Sequence, residues 1–468
     1  MIRGFQRGAG NLRRRLDAKL ELRTVLDKQL ISVLYGSVLL AAGMLSFSRR
    51  RRLHFRIVAL RRFEQGAGLA VVQRSLRRWL QPQRVAIWRE RHIGWQRYYG
   101  DFGAISREPK LKTSLLLKEP GPGGEKGVLY SSFEYNWMKI LAGRDPRKYF
   151  RDYILVGATS WSPSDYAVFA NLCGLSEDPM FMGVSNLSDL QQYRTFLPCI
   201  FPVPILACDW CDPDLYKPRP RSQRSIDILM MAHFTGWKRH WLLFEALKHM
   251  PRNMNVVLLG RATRLERDIR EEAKAFGVRQ DLTVVSGLDI DEVAAYECNA
   301  KVSVSLSKRE GSCVGVTESM FADTPVVMMQ DAHIGARAHI NSSTGRIARR
   351  GELHRVLSEM LEDPSKYNPR AWACENISAR QSSQRLNAIL RDHSLKAGKP
   401  WTQDIAALCW RYVPRYLDNE DAARLRPGIE RMRERHGIEL EEFVSERVAR
   451  ARNQEQRRNQ PPHQRRAS

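Results

Sequence analysis

The chain has 468 residues, 43% of them hydrophobic, enough for two or three domains with sizeable cores. Its 76 Lys+Arg against 51 Asp+Glu give a formal net charge of +25, an excess that draws it toward nucleic acid, acidic lipid headgroups or phosphorylated small molecules. The charge sits mainly at the two ends, which excludes a compact, uniformly basic fold.

The first 110 residues read as a basic, helical extension. Arginines crowd 13–15 and the stretch SRRRRLHFR at 48–56. Between them, residues 29–48 carry no charge for 20 positions, about the length of a membrane-crossing helix. With basic flanks the segment is expected to span or lie on an anionic membrane surface; the alternative is a buried helix. From 53 to 100 apolar residues recur at helical spacing with arginines opposite.

From Thr113 the texture alternates between strands and helices. TSLLLK reads as a strand, and the loop EPGPGGEKG follows at 119–127. YILVGATSW and MFMGVSN read as further strands, each leading into a helix. A linker at 217–225, with Pro218 and Pro220, closes this unit. A second unit starts at Ile226 and runs through strands ending near Met231, Gly260, Gly287, Ser307 and Met329, with helices between. That rhythm predicts an α/β fold with a parallel, doubly wound sheet, whose ligands bind beyond the carboxyl ends of the strands. From 352 to about 445 the pattern is mostly helical, and the basic tail from 446 carries almost no large apolar residues.

The eight cysteines lie in apolar contexts and read as reduced, buried thiols. CDWC at 208–211 has no second Cys/His pair, so two packing cysteines in a turn are expected rather than a zinc or redox site. Asp289 and Asp291 in LDIDE precede a helix and read as caps rather than metal ligands.

The stretch LSKREGSCVGVTESMFADTPVVMM places Glu310 and Glu318 eight residues apart across small residues. It falls between a strand and a helix. A helix start offers free N–H groups and roughly half a positive charge to an anion. Glu310 is expected at the mouth of the cleft and Glu318 farther along the helix, facing the same way. In isolation, a capping acid at Glu310 and a surface acid at Glu318 are the favoured explanation of the pair.

This stretch resembles the GT-B glycosyltransferases, and within them glycosyltransferase family 4. EGSCVGVTESMFADTPVV matches in order and spacing the family's Glu-Gly loop, second Glu, helix and PVV strand. ILMMAHFTGWKRHWLLFEAL resembles its strand, Arg-to-Lys loop and helix; NVVLLGRA resembles a strand ending in Gly260, and CDWCDPDLYKP a characteristic turn. The resemblance covers roughly residues 150–390. It implies two Rossmann-like domains facing a cleft, here 111–222 on the acceptor side and 223–370 on the donor side. The helical extension 1–110 precedes them, and C-terminal helices 371–445 and a tail 446–468 follow.

The resemblance also implies roles. Lys238 would pair with the donor diphosphate, Glu310 would contact sugar hydroxyls, and Glu318 would hold the ribose. Backbone amides at Cys313 and Val314 would face the phosphates, beside Gly311, Ser312 and Gly260. The family's phosphate-binding Arg falls at His233, and its second loop glycine at Cys313. Gly123, Gly124 and Lys126 would reach the cleft if the Gly/Pro loop faces it. The implied activity is metal-independent, retaining hexose transfer, with no cofactor, from a nucleotide diphosphate sugar to a glycan or lipid-linked acceptor. The implied setting is envelope polysaccharide synthesis at the cytoplasmic face of the inner membrane, or the cytoplasm if 29–48 is a buried helix. No nucleic acid is expected. The rival readings are a non-catalytic scaffold on a degenerate GT-B frame and a basic nucleic-acid-binding protein.

Overall fold

A computed structural model describes residues 29–67, 69–80, 110–142, 145–162, 166–173, 175–260, 266–411 and 413–440. The arginines at 13–15, the stretch 81–109 and the basic tail from 446 lie outside these residues.

The described chain begins with three helices, α1 Gln29–Met44, α2 Arg49–Gln65 and α3 Ala70–Trp79. Ser48 caps α2 by accepting from the Arg51 amide. α1 has 16 residues, fewer than the charge-free stretch, and among the described residues no helix is long and apolar enough to cross a membrane. The described helix stops near Met44 and the chain turns back into α2.

The first sheet holds β1 Ser114–Lys118, β2 Gly127–Ser132, β3 Tyr153–Ala158, β4 Met180–Val184 and β5 Ile200–Leu206 in sequential order. β2 to β5 are parallel, whereas β1 runs antiparallel to β2. The helices between them are α4 Glu134–Ala142, α5 Lys148–Arg151, α6 Tyr166–Leu172 and α7 Asp189–Phe196. Side chains alternate across the strands. Leu116, Leu129 and Leu155 face α4, α6 and α7 together with Leu60, Phe63 and Leu76 of the N-terminal helices. Leu115, Leu117, Val128, Tyr130, Ile154 and Val156 face the opposite way.

The second sheet contains β6 Ile226–Met231, β7 Val256–Gly260, β8 Leu282–Ser286, β9 Ala300–Ser305, β10 Val326–Met329 and β11 Gly345–Ala348. Its order is β11-β10-β9-β6-β7-β8, parallel throughout. The winding therefore reverses between β6 and β9, and the loops after these strands diverge there. The helices are α8 His240–Leu247, α9 Glu266–Phe276, α10 Ile290–Cys298, α11 Val314–Phe321 and α12 Leu353–Glu362. Asp289 closes a capping box with Glu292 at the start of α10, as its position predicts.

After α13 Pro369–Asn376 the chain returns to the first sheet. α14 Ala379–Lys396 sets Leu386 and Leu390 against the second face of that sheet, joined by Leu408. The segment expected to be helical holds a hairpin, β12 Leu408–Arg411 with β13 Val413–Tyr416, before α15 Asn419–His436. LCWRYVPRY alternates large and polar residues, a strand pattern that the surrounding helices obscure. Cys173 and Cys199 form a disulfide, contrary to the expectation of eight reduced thiols. They lie on neighbouring connections, after α6 and before β5 respectively.

Candidate active site

The loops after β6 and β9 flank the point where the second sheet reverses its winding. From the first comes Lys238, from the second Glu310. Lys238 Nζ lies 2.7 Å from Glu310 Oε2, with both side chains largely buried. The backbone places Lys238 in a tight turn, Gly236–Lys238, immediately before α8. Arg239 then takes a left-handed conformation, φ 56°. It grips Asp331 with two hydrogen bonds, 2.8 and 3.0 Å, and the Leu306 carbonyl from the β9 loop. Burial opposes the charge of Asp331, but the Arg239 guanidinium holds its carboxyl below the ordinary range. Arg239 thus ties the β6 loop to the β9 loop through the Leu306 carbonyl and to the loop after β10 through Asp331, behind the Lys238–Glu310 pair. The Lys238 ammonium also rests 4.5 Å from the centre of the Trp237 ring.

The loop carrying Glu310 is fastened along its length. Glu310 donates its amide to the His333 carbonyl, and the amides of Gly335 and Ala336 donate to the carbonyls of Gly311 and Ser312. Its other side meets the first sheet. A Cβ on Gly311 would lie 2.3 Å from the Ser160 carbonyl oxygen, so only glycine fits. Ser312 Oγ donates to the Ser185 carbonyl at 3.0 Å and accepts from the Ala207 amide at 3.1 Å. Arg309 Nε donates to the Ser162 carbonyl at 2.9 Å, and His333 Nε2 sits 3.0 Å from Ser162 Oγ. Ser162 in turn donates to Asp189. Gly311 and Ser312, expected to line the donor, are here the seam between the two sheets.

Cys313 caps α11 with φ 61°, a region that favours glycine. Burial pushes its thiol up to about 12, with Glu310 adding to the shift. Val314 opens the helix. Glu318, one turn on, is pushed upward by burial, against a hydrogen bond from the Tyr216 hydroxyl. Glu297 beside it is fully buried and raised for the same reason, with Glu318 adding repulsion. The structure therefore gathers Lys238, Glu310, Cys313, Val314 and Glu318 at one end of the second sheet. His233 is exposed on the β6 loop. Gly260 supports that loop from behind, since a Cβ there would meet the Ala232 carbonyl at 2.6 Å and Phe234 at 2.8 Å.

Gly123, Gly124 and Lys126 do not reach this end. β1 is antiparallel, so the loop leaving it lies at the amino ends of β2 to β5, opposite the cleft. Lys126 there bonds Asp178 at 2.6 Å, just before β4. The glycines make a tight turn, with φ 68° and 80°. The placement of this loop at the cleft is corrected by the direction of one strand.

The residues that the first sheet does contribute follow β2, β3 and β4. Glu134, 7% exposed, opens α4 and accepts from the amide of Ser160 at 3.1 Å and its hydroxyl at 2.6 Å. Trp161 meets Trp237 edge to face across the cleft, ring centres 6.3 Å apart. Sequence reasoning passed over Glu134, Trp161 and Ser185, although each lies directly beyond the carboxyl end of a buried strand. Cys208 and Cys211 are buried free thiols in the turn after β5. Cys208, Asp209 and His339 bring their polar atoms within 4.8 Å of one another. Asp209 accepts from His339 at 2.7 Å, from the Leu206 amide and from the Cys208 thiol, which accounts for the group without an ion.

Residues 214–374, about a third of the chain, match the family model described as Glycosyl transferases group 1. No curated protein matches the chain. Among solved structures, sucrose-phosphate synthase from Thermosynechococcus elongatus is similar at 16% identity and a TM-score of 0.45, over 58% of this chain and 74% of that one. HepE from Anabaena in complex with UDP is similar at 16% identity and 0.45, over 57% and 78%. TarM from S. aureus is similar at 13% identity and 0.41, over 52% and 51%. Two Rossmann-like sheets meet at one cleft, the GT-B arrangement that the sequence resemblance implied, and residues 214–374 are similar to glycosyl transferases group 1.

Proposed function

We propose that the protein transfers a hexose from a nucleotide diphosphate sugar to a glycan or lipid-linked acceptor, with retention of anomeric configuration and without a metal. The setting proposed is envelope polysaccharide synthesis at the cytoplasmic face of the inner membrane. The observation that carries the reading is the Lys238–Glu310 pair at the reversal point of the second sheet, 2.7 Å apart and sheltered from water.

The leaving diphosphate gains negative charge as the glycosidic bond breaks. The Lys238 ammonium and the start of α11 are fixed positive partners for it, already oriented before reaction. Glu310 accepts hydrogen bonds from sugar hydroxyls once the donor displaces it from Lys238. Glu318, a turn farther along α11, is placed for the ribose hydroxyls. In this reading Ser160, oriented by the Glu134 carboxylate, faces the same space from the other sheet.

One observation favours a second reading. The Glu310 loop is sealed to the first sheet through Gly311 and Ser312, and Cys313 occupies a glycine conformation. A scaffold that no longer admits a donor would have this geometry. Thermal shift with UDP-, GDP- and ADP-sugars, followed by sugar release, separates the two. The enzyme reading expects one donor class to stabilise the chain, with stabilisation and turnover lost in Lys238→Ala and Glu310→Ala. Absence of any donor binding, with both variants still active in cells, sinks it.

A further inference from the structure

The N-terminal helices carry an arrangement opposite to that of a water-facing helix. α1 packs on α2 through its small residues. Ser32, Gly36 and Gly43 are buried, and a Cβ on Gly36 or on Gly43 would stand 3.0 Å from the Cβ of Arg62 or Phe55 respectively. Val33, Leu39 and Leu40 pack inward beside them, while a second set of large apolar residues points outward. Leu30, Leu34 and Val38 recur at intervals of four and are 63%, 58% and 64% exposed. Leu45 and Phe47 extend the stripe into the turn and are also exposed, as is Val71 at the start of α3. A helix of a soluble domain turns its apolar stripe to the core and its polar face to water. Close contact through small residues, with large apolar side chains facing away, is the packing of helices in lipid.

The surrounding charge indicates what covers the face. Residues 29–80 hold ten arginines and one acid, Glu64, which is buried. Arg51, Arg52 and Arg56 are exposed just beyond the apolar turn, and Arg74, Arg77 and Arg78 are exposed on α3. Two copies of the chain meeting through this face would bring two such clusters together and repel. An anionic headgroup layer neutralises them. The described part of α1, Gln29–Met44, spans about 24 Å at ~1.5 Å per residue, against a hydrocarbon core of ~30 Å.

We propose that α1 lies in the plane of an anionic bilayer, with Leu30, Leu34, Val38, Leu45 and Phe47 inserted and Arg51, Arg52 and Arg56 on the headgroups. The face is monotopic. The inference rests on the membrane setting proposed above and not on the donor chemistry.

Flotation of the full chain with vesicles of phosphatidylglycerol and phosphatidylcholine, or of phosphatidylcholine alone, tests it. The chain is expected to float with the anionic vesicles. Leu34→Asp/Val38→Asp lowers vesicle affinity roughly tenfold or more, because two inserted side chains are lost. Arg51→Gln/Arg52→Gln weakens binding to the anionic vesicles alone and reduces its salt dependence. UDP stabilisation of the same samples reports on the donor site, so its loss beside intact flotation rejects only the transferase reading. If Leu34→Asp/Val38→Asp floats like the parent, the apolar face is not the docking surface. A lipid-free dimer that the same variant dissolves also overturns the proposal, since a second copy then covers the face.

Discussion

Ser312 Oγ donates to the carbonyl of Ser185, 127 residues earlier in the chain, and accepts from the amide of Ala207. One hydroxyl thus ties the loop of Glu310 to two strand ends of the other sheet. Gly311 beside it leaves no room for a side chain against Ser160. The seam and the candidate donor loop are the same five or six residues, so donor entry and domain separation are coupled. Ser312→Ala removes both hydrogen bonds at a cost of about 1–2 kcal/mol. It is expected to lower the melting temperature slightly and to speed association of UDP in stopped-flow measurements. Gly311→Ala is expected to be more destabilising, because its Cβ meets backbone that cannot move alone.

The Lys238–Glu310 pair predicts non-additive behaviour. Removing one partner leaves a sheltered charge unmatched. Lys238→Met and Glu310→Gln are each expected to reduce donor turnover by roughly tenfold or more. The double variant should fall short of the product of the two losses by a coupling of roughly 1–3 kcal/mol. Independent, multiplicative losses in the cycle would show that the two residues do not act through each other.

Cys313 sits at φ 61° without glycine's freedom. Cys313→Gly should relieve strain on the order of 1 kcal/mol, offset in part by the looser unfolded chain. A small rise in melting temperature is expected, with donor binding retained or improved. A clear drop would mean that the sulfur packing against the Ser305 side, Sγ to Oγ 3.8 Å, outweighs the backbone gain.

Asp189 predicts a pH dependence. Burial raises its carboxyl from 3.8 to about 7, with the Ser162 hydrogen bond opposing the shift. Between those values the folded chain holds a proton that the unfolded chain has released. Its contribution to stability is full below 3.8 and is lost as pH rises to about 7, a change of roughly 2–4 kcal/mol. Asp189→Asn removes the titration. Its melting temperature, compared with that of the parent, is expected to gain progressively from acid to mildly alkaline pH. A difference that does not vary with pH would rule out Asp189 as the source.

The second sheet was legible because each strand is a short apolar run followed by a helix with a start signal. The order of those segments brings the loops of Lys238 and Glu310 to one edge. The first sheet was less so. SLLLK reads as a strand in either direction, and nothing in five consecutive residues reports that β1 runs antiparallel. That single reversal carried Gly123, Gly124 and Lys126 to the far side. Glu134 and Ser160 come from separate strand ends, and only the sheet brings them together. The Cys173–Cys199 pairing depends likewise on two neighbouring connections, not on any local spacing. For the β12–β13 hairpin, the flanking helical patterns outweighed an alternation of only four residues per strand.

The return of α14 to the first sheet sets an order of events during synthesis. Leu115, Leu117, Tyr130, Val156, Phe181 and Val203 emerge from the ribosome early, yet their cover, Leu386, Leu390 and Leu408, comes nearly two hundred residues later. The earliest-made sheet is therefore the last to be sealed. Until then it presents a broad apolar face, the kind of surface that recruits chaperones and seeds aggregation. A stop codon after the second sheet, for example at 376, would spare every candidate donor residue. It would still strand the nascent first sheet half-covered, and such a product is expected to be cleared or to aggregate before it meets a donor.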